Sequence, residues 1–230
     1  MSGSPPLPSC DPPTEAVAES VASVRERIAR AGGGRPVEIV AVTKGFGVEM
    51  VLAVAGAGIL DVGENYAQEM LAKVPGAPGG VRWHFLGPIQ TNKVSRLSRV
   101  VHRWHGVDRP VAGDAIARHQ PGAGVFVEVN VTGDPSKHGC RPPVTAALVD
   151  LLRERGLDVR GLMTIGPQGD RRASRAAFRR LATMADDLGL PELSMGMSED
   201  FETAVEEGAT TVRLGRALFG PRPGAGPARR

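Results

Sequence analysis

Apolar residues recur along this chain in short blocks separated by stretches with helical spacing. Val17, Val21, Val24 and Ile28 fall three or four positions apart, which predicts a helix over 14–31 that stops at Gly32-Gly33-Gly34. Eight apolar runs follow: VEIVAV (37–42), GILDVG (58–63), WHFLG (83–87), RVVHRW (99–104), GVFVEVNV (124–131), VRGLMTI (159–165), ELSMGM (192–197) and TTVRLG (210–215). The first is nearly all β-branched or small, as in a strand buried on both faces of a parallel sheet. Helix-like stretches lie between the runs at 50–57, 66–73, 144–155, 172–188 and 201–207, and Gly156 and Gly208 stand where a helix C-terminus wants a left-handed residue. Eight strands alternating with helices predict an α/β fold, a single (β/α)8 TIM barrel with an extra N-terminal helix. A doubly wound open sheet is the alternative. No GxGxxG follows a strand, and GRALFG (215–220) runs into Pro221-Arg222 rather than Lys-Ser/Thr, so both nucleotide-loop readings fail.

Composition narrows the function classes. Of 230 residues, 41% are hydrophobic and 23% charged, the balance of an ordinary water-soluble domain. The net charge is +3, but the basic residues are spread out and only 4% of residues are aromatic, which argues against nucleic-acid binding. Residues 1–13 carry five prolines and 221–230 read GPRPGAGPARR without the first glycine, so two disordered tails are expected around a barrel domain over 14–220. The N-terminal tail has no basic or apolar segment of a secretory signal, and no apolar run reaches the roughly 18 residues of a membrane-spanning helix. Cys10 lies in the tail and Cys140 in the barrel, so no structural disulfide is expected. These features predict a cytoplasmic protein with no membrane or nucleic-acid partner; a monomer is expected, although none of these features sets the oligomeric state.

Lysine use changes the picture further. Only Lys44, Lys73, Lys93 and Lys137 are lysines among 28 basic residues, so where charge alone is wanted the chain carries arginine. Lys44 ends the first strand, and only a primary amine condenses with a carbonyl. In a barrel the C-terminal strand ends face the active site. Those positions are Thr43-Lys44, Glu64-Asn65, Gly87-Pro88, Met163-Thr164, Met197-Ser198 and Arg213 to Arg216. Barrels often bind phosphate with the loops after strands 7 and 8 and a short extra helix, which here means Ser198, Gly215 and the N–H groups of 215–217. Ser198 also suits a helix cap before EDFETAVEEG, and Glu199 and Asp200 would repel a phosphate they faced. An amine beside a phosphate pocket suggests a phosphorylated aldehyde, of which pyridoxal 5′-phosphate (PLP) is the familiar one. Condensation needs an amine pKa below the free value of about 10.4, which burial and Arg213 would both lower. A structural ion pair between Lys44 and Glu64 or another carboxylate is the competing reading.

Several motifs occur together in a fixed order: AVTK (41–44), GENYAQE (63–69), WHFLGPIQTNK (83–93), SKHG (136–139), GLMTI (161–165), GMSED (196–200) and VRLGRALFG (212–220). On these the chain resembles the PLP homeostasis proteins of the YggS/PROSC group, whose fold is similar to the barrel domain of alanine racemase. The resemblance runs from about Pro36 to Gly220. It implies that Lys44 forms the internal aldimine, that Arg213 faces the pyridine nitrogen, and that Ser198 with the backbone of Gly215 and Arg216 holds the phosphate. It also implies that Asn65 and Met163 line the ring, and it leaves His84 and Asn92 without individual roles. Arg216 stands where many relatives carry a small hydroxyl residue, so a backbone contact survives there and a hydroxyl contact does not.

The same residues limit catalysis. The PLP ring stabilises a carbanion best with a protonated nitrogen. A guanidinium donates to that nitrogen but does not stabilise a proton on it. Racemisation also needs acid–base groups on both faces of the substrate, and the only tyrosine is Tyr66, at a strand-to-helix turn. The expected function is therefore a carrier that holds PLP as a Schiff base on Lys44 and buffers it or delivers it to PLP-dependent apo-enzymes. The alternatives are a PLP-dependent amino-acid racemase, a Schiff-base aldolase, or a phosphometabolite binder in which Lys44 is only a point charge.

Overall fold

The computed structural model describes residues 14–167 and 169–222. The expectations for tail residues 1–13 and 223–230, and for Cys10, lie outside the described residues. Eight parallel strands close into a barrel in sequence order: β1 (Glu38–Val42), β2 (Asp61–Glu64), β3 (Arg82–Phe85), β4 (Val101–Val107), β5 (Gly124–Glu128), β6 (Asp158–Met163), β7 (Glu192–Ser194) and β8 (Thr211–Leu214). The last strand pairs back onto the first with Glu38 opposite Thr211 and Ala41 opposite Leu214. Closure is why the apolar runs do not alternate strictly. One face of each strand packs into the barrel and the other against a helix, so both are dry. The open-sheet alternative falls with the β1–β8 pairing.

The helices preceding the first six crossovers' returns are α2 (Val48–Gly56), α3 (Ala67–Lys73), α4 (Thr91–Leu97), α5 (Pro110–His119), α6 (Thr145–Glu154) and α7 (Arg171–Asp187), and α8 (Phe201–Glu206) and α9 (Arg216–Phe219) complete the outer layer. The N-terminal helix α1 (Thr14–Gly32) packs against α2, α8 and α9. The reason is geometric. The helix after β8 should fill the ring position between α2 and α8, and α9 has only four residues, so α1 supplies the missing apolar face with Val17, Val21, Val24 and Ile28. Arg27 fixes it there by pairing with Glu202 at 3.0 Å and lying 4.5 Å over the Phe201 ring.

Helices α4 and α5 are not announced by the apolar spacing. α4 buries only Val94 and Leu97, and α5 buries Ala112, Gly113 and Ile116, residues too few or too small to stand out as a stripe. Gly156 and Gly208 do adopt positive φ, +75° and +101°, after α6 and α8. Among the described residues no helix is long and apolar enough to cross a membrane, and Cys140 is a buried free thiol.

Candidate functional site

A cavity of about 470 Å³ opens at the C-terminal end of the barrel, within the range of small-molecule sites. All seven residues singled out above, Lys44, Asn65, Met163, Ser198, Arg213, Gly215 and Arg216, line it. They come from the ends of β1, β2, β6, β7 and β8, so barrel closure alone brings them together. Tyr66, His84 and Asn92 do not line it. Tyr66 heads α3 and is 61% exposed, which leaves it the helix-start role. Asn92 is exposed in the first turn of α4, and His84 is buried inside the barrel.

The backbone around Lys44 is held from both sides by α3. Lys73 Nζ donates to the Thr43 carbonyl at 2.8 Å, and the Gly45 N–H donates to Glu69 Oε2 at 2.7 Å. Thr43 Oγ1 donates to Glu64 Oε1 at 2.6 Å, and the same oxygen pairs with Lys73 at 2.5 Å. The expected alternative of a Lys44–Glu64 ion pair is thereby corrected. Glu64 is fully buried and takes Lys73 as its partner, because α3 returns along β2 and brings residue 73 back to the strand end. Among the described residues no carboxylate lies within ion-pair distance of Lys44. Its amine is held below the ordinary lysine value first by burial, then by the charges of Arg222 and Arg213, with Glu64 and Glu69 opposing.

Sequence reasoning missed Lys73 and Arg222. The scarcity of lysine that marks Lys44 marks Lys73 equally, and that signal could have found it. Arg222 lies in the segment read as a tail, where nothing in the pattern points to a site.

Arg213 projects from β8 and is 6% exposed. Its Nη1 donates to Ser194 Oγ at 2.7 Å and its Nη2 to the Thr164 carbonyl at 2.8 Å, which leaves further N–H donors for the cavity. Burial lowers its pKa to about 10 against the opposing charges of Glu128 and Asp200, so it stays cationic at neutral pH. Burial also raises the Glu128 carboxyl to about 7, helped by Asp108 and opposed by Arg213.

The helix-cap reading of Ser198 is corrected. Asp200 occupies the cap position of α8, and Ser198 Oγ instead accepts the Ala217 N–H at 3.0 Å. This ties the loop after β7 to the first turn of α9, whose N–H groups at Gly215 and Arg216 have no partner within their own helix. A Cβ on Gly215 would stand 3.2 Å from the Val42 carbonyl, a tight contact, so glycine eases the close approach of this loop to β1. Glu199 does not stand alone: its carboxylate pairs with Arg216 at 2.6 Å on the rim. Asp200 Oδ1 accepts the Met197 N–H at 2.7 Å. The repulsion expected from this acidic pair is thus partly absorbed by local partners. The geometry brings to one cavity an amine biased toward its neutral form, a buried cationic donor from the neighbouring strand, and the first turn of α9.

Comparison with known proteins gives this arrangement a context. Residues 14–223 match the family model described as alanine racemase, N-terminal domain. The chain is 42% identical over 226 residues to the pyridoxal phosphate homeostasis protein of Pseudomonas aeruginosa, covering 92% of this chain and 98% of that one. It also superimposes on PipY of Synechococcus elongatus, solved without PLP (TM-score 0.80, 31% identity) and with PLP bound (TM-score 0.78, 30% identity). Each covers 89% of this chain and 100% of that one. On this evidence the chain belongs to the pyridoxal phosphate homeostasis protein family, built on the alanine racemase N-terminal domain.

Proposed function

We propose that this chain binds PLP in the cavity at the barrel mouth and acts in PLP homeostasis, holding the cofactor on Lys44 and releasing it to PLP-dependent apo-enzymes. The observation that carries the reading is that Lys44, without a carboxylate partner among the described residues and with its charge disfavoured, shares its cavity with the first turn of α9. The donor set fits the group. Ser198 and the N–H groups of Gly215 and Arg216 suit a phosphate dianion at a helix start. Arg213 suits an acceptor nitrogen, and Asn65 and Met163 line the same cavity. Bound PLP supplies an electrophilic aldehyde and an electron-accepting ring. The uncharged Lys44 amine adds to that aldehyde with loss of water to give a Schiff base. Arg213 presents donors only, so it favours an unprotonated ring nitrogen and a weak electron sink. Tyr66 stands outside the cavity. Both features support a carrier over a racemase or aldolase. We further propose that the chain works as a cytoplasmic monomer, which size-exclusion chromatography tests.

The test is the visible absorption spectrum with and without PLP, repeated for Lys44→Ala. A band above that of free PLP is expected only with Lys44. Borohydride reduction and peptide mapping should then find a pyridoxyl group on residue 44. Binding of PLP without that label would reject the covalent reading and leave Lys44 as a point charge. Loss of optical purity in L-amino acids above a PLP-only blank would favour the racemase.

A further inference from the structure

Five buried polar side chains from five strands form an unbroken line through the barrel interior. Arg213 Nη1 donates to Ser194 Oγ at 2.7 Å. Ser194 Oγ is 2.8 Å from His105 Nδ1, His105 Nε2 is 2.9 Å from His84 Nδ1, and His84 Nε2 is 3.0 Å from Asp61 Oδ1. Ser194, His105 and His84 are 0% exposed, and Asp61 is 6% exposed. The line starts at the first residue of β2 and ends in the cavity, and only Arg213 among its members touches the cavity.

Two histidines in contact can share protons in several ways, but the ends of this line permit one. Asp61 is an anion, held by Arg82 and His84 with a carboxyl pKa of about 2, so it accepts and His84 carries its proton on Nε2. Burial pushes both imidazoles below the ordinary histidine value, His105 well below it, so both are neutral. His84 Nδ1 is then an acceptor, and His105 must carry its proton on Nε2. His105 Nδ1 in turn accepts the Ser194 hydroxyl proton, and Ser194 Oγ is left to accept from Arg213. Every donor points from the cavity toward Asp61.

We propose that Ser194, His105, His84 and Asp61 form a positioning relay for Arg213, which fixes the guanidinium so that its remaining N–H groups face the bound ligand in one orientation. Reversing the line would require a proton on Asp61 and its loss from Arg213, so the relay is a static strut and not a path for protons. The groups around it are accounted for. His84 also faces His102, with ring centres 5.7 Å apart, and His105 stacks on Phe126 at 4.5 Å. The charges of Glu38, Arg103 and Arg213 act on the pair as well, and His102 acts on both rings. The consequence for PLP rests on the proposed function, whereas the proton arrangement does not.

The arrangement is read in the full-length, PLP-free protein by nitrogen-15 NMR of its histidines and arginines. His84 and His105 should both be neutral Nε2–H tautomers at neutral pH. Arg213 should give two distinct, slowly exchanging Nη signals that merge in Ser194→Ala. A His105 Nδ1–H tautomer, a doubly protonated ring at neutral pH, or unchanged Arg213 signals in Ser194→Ala would overturn the proposal. PLP titration adds a second arm. Ser194→Ala should weaken PLP binding about tenfold, as for one hydrogen bond to a charged donor, while the core truncation Val62→Ala should lower the melting temperature without that loss. Equal losses of affinity in the two variants would make the relay a matter of stability alone and reject it. If the unaltered protein binds no PLP, the proposed function fails and the NMR arm still decides the relay.

Discussion

Replacing Lys73 with methionine tests the clamp that holds Lys44. The Lys73 ammonium is 7% exposed and donates both to the Thr43 carbonyl and to Glu64, whose side chain is fully buried. Methionine fills a similar volume but removes both donors. Glu64 Oε2 already has no hydrogen-bond partner, so the variant leaves a buried carboxylate with only the Thr43 hydroxyl. Breaking a buried pair in this way costs about 3–5 kcal/mol. In a chain of this size that lowers the melting temperature by about 10 °C. The loss must depend on pH. Burial already raises the Glu64 carboxyl above its ordinary value, with Lys73 and Thr43 opposing, and losing Lys73 raises it further. A carboxyl whose folded pKa is raised binds its proton more tightly in the folded state, so stability is lost as pH rises from the unfolded to the folded value. The slope approaches about 1.4 kcal/mol per pH unit in that window. Urea unfolding at pH 5, 7 and 8 should therefore show a Lys73→Met deficit that grows with pH and shrinks at pH 5 toward the one or two kcal/mol of the lost hydrogen bonds, about the usual size for such contacts. The double variant Lys73→Met/Glu64→Leu should recover most of the loss at pH 8, since no charge is then stranded. A deficit equal at all three pH values, or a double variant worse than the single one, would refute the reasoning.

Two further outcomes follow from other parts of the fold. Gly87→Ala should destabilise by more than about 3 kcal/mol in urea unfolding, because its Cβ would lie 2.0 Å from the Asn65 carbonyl and one backbone would have to move; the shift should also reduce PLP uptake, since Asn65 lines the cavity. Asp61 has a carboxyl pKa lowered from 3.8 to about 2, so its contribution is present above pH 4 and lost as pH falls toward 2. Between those values the unaltered protein should lose about 2 kcal/mol more than Asp61→Asn, and parallel acid-unfolding curves for the two would show that the carboxylate is not held in this way.

The sequence by itself determined the barrel and most of its mouth. Eight apolar runs with helical spacing between them leave few topologies, and in a parallel barrel each run has one end that faces the site. Lys44, Ser198, Arg213 and Gly215 were legible for that reason, and Lys44 also because lysine is rare here. Periodicity says which face of an element is dry, but not which side chain meets which across the barrel. The stagger of the closed sheet decides that, and it sets Lys73 rather than Lys44 against Glu64 and turns Ser198 toward Ala217 rather than toward α8. It also aligns Asp61, His84, His105 and Ser194, residues up to 133 positions apart in the chain, into a line ending on Arg213. A buried histidine in a strand reads the same in sequence whether or not another lies one strand away, so only the tertiary structure could join them.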